Sequence, residues 1–250
     1  MIFAAGRGER MRPLTDGCPK PLLKAGGKPL IVWTIEALAR AGLTDIVINH
    51  AWLGGQIEAA LGDGSRYGVR IAYSAEGEAL ETAGGIARAL PLLRGADDAA
   101  TADGRGEIFV AVSGDVYAEY DFHALLPRAR AMAAAAEPGM HLVMVPNPPF
   151  HPRGDFVLGA DGRLALPSGD AGEPGQGLPL TFGNIGLYDT RTFADIAPGQ
   201  KVAMTPYYRA AIAAGRATGE CFDGRWENVG TPAQLAALDA ELTRVAARAG

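Results

Sequence analysis

Met1-Ile2-Phe3-Ala4-Ala5-Gly6-Arg7-Gly8-Glu9-Arg10-Met11-Arg12-Pro13-Leu14-Thr15 opens the chain, and the change from apolar residues to glycine within it decides the fold class. Its first five residues predict a short buried strand, and Gly6-Arg7-Gly8 a turn without Cβ atoms at two of three positions. A strand that runs into Gly-x-Gly places a flexible turn at the carboxyl edge of a parallel sheet, where such sheets bind ligands. The glycines let backbone N–H groups approach anionic oxygens, while Arg7, Arg10 and Arg12 offer planar forks able to grip two oxygens at once. An ordinary tight turn also uses glycines; three arginines beside them favour a phosphate site.

Working outward, the pattern repeats. Thr44 to Asn49, Val69 to Tyr73 and Ile108 to Val112 read as apolar strands, with helical stretches at Pro29 to Ala41, Leu53 to Leu61 and Thr82 to Leu90 between them. Strands alternating with helices predict an α/β fold with a mostly parallel sheet flanked by helices. After Asp115 the alternation loosens into an Ala/Arg-rich helix to about Ala136 and a strand from Met140 to Val145. Gly154 to Leu158 and Ala160 to Leu164 suggest a hairpin around Asp161-Gly162, and Leu180 to Tyr188 a further strand. Thr231-Pro232 starts an amphipathic helix to about Ala247, with Leu235, Leu238, Leu242 and Val245 on one face. The stretches 94–106 and 167–179 are rich in Gly, Asp and Ala with few apolar anchors and are expected to lack order.

Composition narrows the partners. A net charge of −5 argues against general nucleic-acid binding, which needs basic clusters. No apolar run approaches the roughly 20 residues of a membrane helix, and no signal-peptide pattern is visible, so a cytoplasmic protein without membrane contact is expected. Cys18 and Cys221 are isolated, with neither a CxxC pair nor histidines at metal-ligand spacing, so reduced structural thiols are expected. Residues 6–28 nevertheless carry a net charge of +4, leaving −9 for the rest, and hold three of the four lysines.

Pro19-Lys20-Pro21 predicts a lysine held on a stiff extended segment, able to neutralise charge on a phosphoryl group in transfer. Ser113-Gly114-Asp115, at the end of an apolar strand, would set one carboxylate at the same sheet edge as Gly6-Arg7-Gly8. Mg2+ suits that position, because the ion takes one or two protein carboxylates plus phosphate oxygens and water. A strand-terminal aspartate taken alone is more often a turn former. His50, His123, His141 and His151 read as surface or loop residues.

The run Ala4 to Thr15 followed by Pro19-Lys20-Pro21-Leu22 resembles the signature of bacterial sugar-1-phosphate nucleotidylyltransferases. The similarity continues through Glu81-Thr82-Ala83-Gly84-Gly85, Ser113-Gly114-Asp115, Gly154-Asp155-Phe156 and Trp226-Glu227-Asn228-Val229-Gly230-Thr231. Asn49 to Leu53 and Leu61 to Gly68 are most similar to the branch that transfers uridylyl groups to a cell-wall sugar. The resemblance implies a Rossmann-like core over 1–250, with a nucleotide-binding half at 1–146, a smaller sugar-binding half at 147–230 and a C-terminal helix at 231–250. It implies UTP or another nucleoside triphosphate and a sugar 1-phosphate as substrates, in a monomer or homodimer.

By the same resemblance Ala5, Gly6, Gly8, Glu9 and Arg10 hold the nucleotide, Lys20 contacts its phosphates, and Glu76, Gly84 and Gly85 lie near the base. Arg10, Lys20 and Asp115 are the catalytic set, Ser113, Asp155 and Asn184 the sugar set, and Asp115 with Asn228 the metal set. Ser113 stands where relatives commonly have asparagine, and Asn228 where they have a second metal-binding aspartate. A neutral amide oxygen there should hold magnesium less tightly than a carboxylate. Thymidylyl and uridylyl transfer to glucose 1-phosphate and guanylyl transfer to mannose 1-phosphate are the alternative reactions, and a non-catalytic nucleotide-sugar-binding regulator the alternative of another class.

Overall fold

The computed structural model describes residues 1–94, 106–167 and 177–249. The stretches expected to lack order fall for the most part outside these residues. The described chain divides into two compact units that interleave along the sequence: Met1–Leu80, Val112–His123 and Arg225–Gly250 form the first, Glu81–Ala111 and Ala124–Gly224 the second.

The first unit contains, in chain order, β1 (Ile2–Ala4), β2 (Lys24–Ala25), β3 (Lys28–Pro29), α1 (Leu30–Arg40), β4 (Asp45–His50), α2 (Gly54–Leu61) and β5 (Arg70–Ala75). The strand β6 (Ile108–Ser113) gives it Val112 and Ser113, and β7 (Val116–Ala118) follows directly. Its sheet runs β6-β1-β4-β5, all parallel, with Ile2 opposite both Ile48 and Val112. Although β1 has only three residues, a parallel partner on each side removes Ile2 and Ala4 from water, which is why the run reads as uninterrupted apolar sequence. Pro29 precedes α1, whose end is set by Gly42 at φ 76°: Gly42 N–H bonds Ala39 O and Leu43 N–H bonds Leu38 O, closing a Schellman turn.

The second unit holds α3 (Glu81–Leu93), the first part of β6, α4 (Leu125–Ala133), β8 (Met140–Val145), β9 (Phe156–Leu158), β10 (Leu164–Ala165), β11 (Leu178–Asp189), α5 (Thr205–Ala213) and β12 (Ala217–Cys221). All six residues of β8 are buried, flanked by β11 antiparallel and β12 parallel. The β9–β10 hairpin forms as expected, with Gly162 at φ 76° and Gly159 N–H bonded to Arg163 O. Pairing here is mainly antiparallel, so the parallel part of the α/β fold is concentrated in the first unit. Neither α5 nor β12 is visible in the sequence. Only Ala211 of α5 is buried, leaving no apolar stripe, and Ala-Thr-Gly-Glu-Cys has weak strand propensity until β8 supplies a partner.

The first unit is completed by β13 (Trp226–Asn228), paired antiparallel with β7, and by α6 (Pro232–Ala249). Thr231 Oγ1 accepts the Gln234 N–H while Gln234 Oε1 accepts the Gly230 N–H, a reciprocal cap at the start of α6. Leu235, Leu238 and Leu242 pack with Met11, Ala25, Leu30, Tyr117 and Val229, so the C-terminal helix shares a core with the opening loop. Val245, expected on the same face, is exposed because the helix continues past the core it covers. Leu238→Ala should cost about 2–5 kcal/mol through lost burial and a residual cavity, read as a lower urea midpoint at unchanged m-value.

Candidate active site

The opening loop leaves β1 at Ala5, which is half-buried, and Gly6, which is exposed with open space where a Cβ would stand. Gly8 takes φ 67°, and a Cβ there would lie 3.1 Å from both Lys20 Cβ and Thr15 Cγ2, so glycine is required for conformation and for room. Glu9, Arg10 and Met11 form one 3-10 turn that exposes Glu9 and Arg10 and buries Met11. The Met11 N–H and the Thr15 hydroxyl both donate to Gly8 O, folding the loop onto its own turn.

Of the three arginines expected to grip phosphate, two are engaged elsewhere. The Arg7 guanidinium lies 3.6 Å from the centre of the Trp52 ring, donates to Thr15 O at 2.9 Å and pairs with Asp16. Arg12 Nε donates to Asp16 at 2.7 Å. Trp52 Nε1 and Gln56 Nε2, from the segment after β4, donate to Thr15 O and Gly17 O respectively. Arg7 and Trp52 therefore brace the loop from behind. Arg10 alone of the three forms no ion pair among the described residues, and its guanidinium nitrogens lie 3.5 Å from where a Cβ on Gly230 would stand.

Lys20 is not on an extended segment. Pro19 is extended, but Lys20 opens a 3-10 turn through Leu22, closed by Leu22 N–H to Pro19 O and Leu23 N–H to Lys20 O. Pro21 fits this turn because its missing N–H has no partner to lose there. The turn aims Lys20 Nζ at Asp115 Oδ2, with which it forms a close, part-buried ion pair. Asp115 leaves β6 through Gly114, whose N–H bonds Phe3 O and where a Cβ would stand 3.0 Å from that oxygen. Ser113 pairs with Phe3 at the end of β6. The β7–β13 ladder sets Asn228 opposite Val116 and bonds Val229 N–H to Asp115 O, bringing residues 115 and 228 to one end of the ribbon.

Glu76, immediately after β5, is buried within a relay that the sequence did not suggest. Ala4 N–H donates to Asn49 Oδ1, Asn49 Nδ2 to Glu76 Oε1, and Leu80 N–H to Glu76 Oε2. Asn49 thus ties the end of β1 to the turn after β5, and only the fold brings residues 4, 49 and 76 together. His50 is buried rather than exposed, its Nε2 2.7 Å from Glu58; His141 is likewise buried, between Thr218 and Glu220. Each buried ring finds polar partners, which is what allows it inside.

The remaining expected residues lie in the second unit. Gly84 and Gly85 are buried in the N-terminal part of α3, where the N–H groups of Ala83 and Gly84 bond Val202 O. Asp155 Oδ2 accepts the Phe182 N–H, and Oδ1 lies 3.1 Å from His151 Nε2. Asn184 adopts φ 56° at a register shift in β11 between Phe182 and Ile185, a left-handed position that asparagine tolerates. Tyr208 packs edge-on against Phe156 and Phe182 and meets the Tyr188 hydroxyl; burial pushes its phenol up to about 12, with the nearby Asp155 charge adding to the rise. This aromatic wall beside Asp155 was not anticipated, because Tyr208 sits in the unrecognised α5.

The Nucleotidyl transferase family model matches residues 1–151, the part of the chain that carries the loop, Lys20, Glu76 and Asp115, and the chain belongs to that family. Two N-acetylmuramate alpha-1-phosphate uridylyltransferases are similar over almost their whole lengths. That of Neisseria meningitidis serogroup B is 47% identical, covering 94% of each chain, and that of Caulobacter vibrioides 34% identical, covering 97% of this chain and 96% of the relative. Among solved structures, a protein assigned as a glucose-1-phosphate thymidylyltransferase from Bacillus anthracis, in complex with sucrose, superposes with a TM-score of 0.75 at 21% identity over 97% of this chain and 94% of its own. That similarity supports the nucleotide-diphospho-sugar transferase fold.

Trp52→Ala removes the ring under Arg7 and the bond to Thr15 O, together worth on the order of 1–3 kcal/mol. The nucleotide KM should rise about tenfold or more, with a smaller change in kcat, in steady-state assays.

Proposed function

We propose that the protein transfers a uridylyl group from UTP to N-acetylmuramate α-1-phosphate, giving UDP-N-acetylmuramate and pyrophosphate, in the cytoplasm as part of cell-wall peptidoglycan recycling. The observation that carries the sugar and base is the 47% identity, over nearly the full length, to the Neisseria protein of that name. The match of residues 1–151 to the Nucleotidyl transferase family supports the reaction class. Cys18 and Cys221 are free thiols, as suits a reducing compartment.

In this reading the exposed face of Gly6 and the Gly8 turn receive the triphosphate, Arg10 and Lys20 neutralise its charge, and the sugar phosphate oxygen attacks the α-phosphorus in line. No side-chain base is required, since a phosphomonoester with a second pKa of about 6 is already ionised near neutrality. Glu76, an acceptor held rigid by Asn49 and Leu80 N–H, is the group for a ring N–H of the base. On the sugar side, Asp155 beside the Tyr208 wall offers a polar contact on an apolar backing, and Asn184 an amide.

Asp115 and Asn228 supply one carboxylate and one amide oxygen, and no group of three or more His, Cys, Asp or Glu suited to a metal occurs among the described residues. That donor set fits magnesium, which draws most of its shell from phosphate oxygens and water, and does not fit zinc. When bound, the ion would neutralise phosphate charge. Asn228 specifically favours the second reading, a regulator that binds nucleotide sugar without turnover.

A matrix of nucleoside triphosphates and sugar 1-phosphates, scored by pyrophosphate release, tests the assignment: UTP with N-acetylmuramate α-1-phosphate should give the highest kcat/KM, and preference for thymidylyl or guanylyl transfer would replace it. Lys20→Ala should lower kcat by at least about 100-fold with little change in melting temperature; unaltered turnover would remove Lys20 from the mechanism. Asn228→Asp should leave turnover within several-fold of the original, whereas a rise from near zero would favour the regulator.

A further inference from the structure

One cation in the first unit is placed to serve two anions. Lys20 is 9% exposed, its stem lies against the Gly8 turn, and its ammonium closes on Asp115. The Cβ that Gly8 lacks would touch the Lys20 stem at 3.1 Å, so any polyphosphate seated on that turn arrives beside the same ammonium. Asp115 is meanwhile the only carboxylate of the expected metal pair, since residue 228 is asparagine. Of the loop's own charged residues, Arg10 stands by Gly230, Glu9 is exposed, and Arg7 and Arg12 are held by Asp16.

We propose that Lys20 acts as a guard on Asp115. In the nucleotide-free protein the ammonium occupies the carboxylate and keeps divalent cations off it. A bound polyphosphate draws the ammonium to its own oxygens and so releases Asp115 to the cation that accompanies the nucleotide. The exchange is a transfer of ion pairing with no covalent step. It makes nucleotide and cation bind cooperatively at this centre, beyond the affinity the two have for each other in water, because each favours the state in which Lys20 has left Asp115. With one carboxylate and one amide, the site has little cation affinity to spare, and a resident ammonium lowers it further. This inference rests on the proposed phosphate and metal roles of Lys20 and Asp115.

The test reads metal binding without turnover. Mn2+ binding to the nucleotide-free protein is measured by electron paramagnetic resonance of free Mn2+, for the unaltered protein, Lys20→Met, and Lys20→Met combined with Asp115→Asn. Lys20→Met should tighten Mn2+ binding by about fivefold or more, and the added Asp115→Asn should abolish the gain. In EDTA, the affinity for UTP should fall in Lys20→Met, since the phosphates lose their cation. Lys20→Gln, which keeps a hydrogen-bond donor without the charge, carries the same expectations should the methionine variant fail to fold. Mn2+ affinity that stays constant or weakens in a folded Lys20 variant overturns the guard, as does a gain that survives Asp115→Asn. Uridylyl transfer by the unaltered protein is assayed separately, so the guard can fail while the transferase reading stands, and the reverse outcome is equally readable.

Discussion

The first unit depends on the double pairing of β1. Three residues long, this strand is held on one side by β4 and on the other by β6, with Ile2 and Ala4 sealed between their neighbours. Because the three strands run parallel, their carboxyl ends emerge together, and each delivers one part of the site: β1 the glycine turn, β4 the Asn49 to Trp52 segment, β6 Gly114 and Asp115. The contacts across that edge are between backbone and backbone or backbone and side chain: Gly114 N–H to Phe3 O, Ala4 N–H to Asn49 Oδ1. A shift of one residue in either register would move Asn49 or Asp115 relative to the glycine turn.

Much of this was legible in the sequence because it is local. The strand that becomes glycine, the apolar run ending at Asp115, the Pro29 and Gly42 limits of α1 and the hairpin at Asp161-Gly162 each carry their own signal within a few residues. The fold class followed from the alternation of strands and helices in the first half. Residue type alone did not reveal which side chains the loop's arginines would meet. Three arginines beside glycines look equivalent, yet Asp16 and Trp52 take two of them, and nothing near Arg7 in the chain announces a partner at position 52. Pro19-Lys20-Pro21, expected to be extended, turns into a 3-10 turn from Lys20, because a proline in the second position of such a turn gives up no hydrogen bond.

Long-range polar pairing was the least visible feature. Asn49 and Glu76 are 27 residues apart, and neither belongs to a pattern that sequence spacing could reveal; they meet because β4 and β5 are neighbours. His50 and His141 were misread as surface groups for the same reason, since a histidine is compatible with burial only once the fold has furnished partners for its nitrogens. In the second unit, α5 has no apolar stripe to betray it, and with it the Tyr208 wall beside Asp155 was lost.

The engagement of Arg7 and Arg12 changes how charge works at the loop. Had all three guanidinium groups been free, the loop would bind polyanions by charge alone, with little to distinguish one phosphate geometry from another. With Arg7 and Arg12 paired with Asp16, Arg10 is the one loop arginine without an ion pair among the described residues, and Lys20, beside the Gly8 turn, is itself balanced by Asp115. The shape of the turn rests on the left-handed Gly8, the open face of Gly6 and the buried anchor Met11, which together fix where its N–H groups point. Arg7, stacked on Trp52 and bonded to Thr15 O, and Arg12, paired with Asp16, hold the shape of the turn without having to touch a ligand.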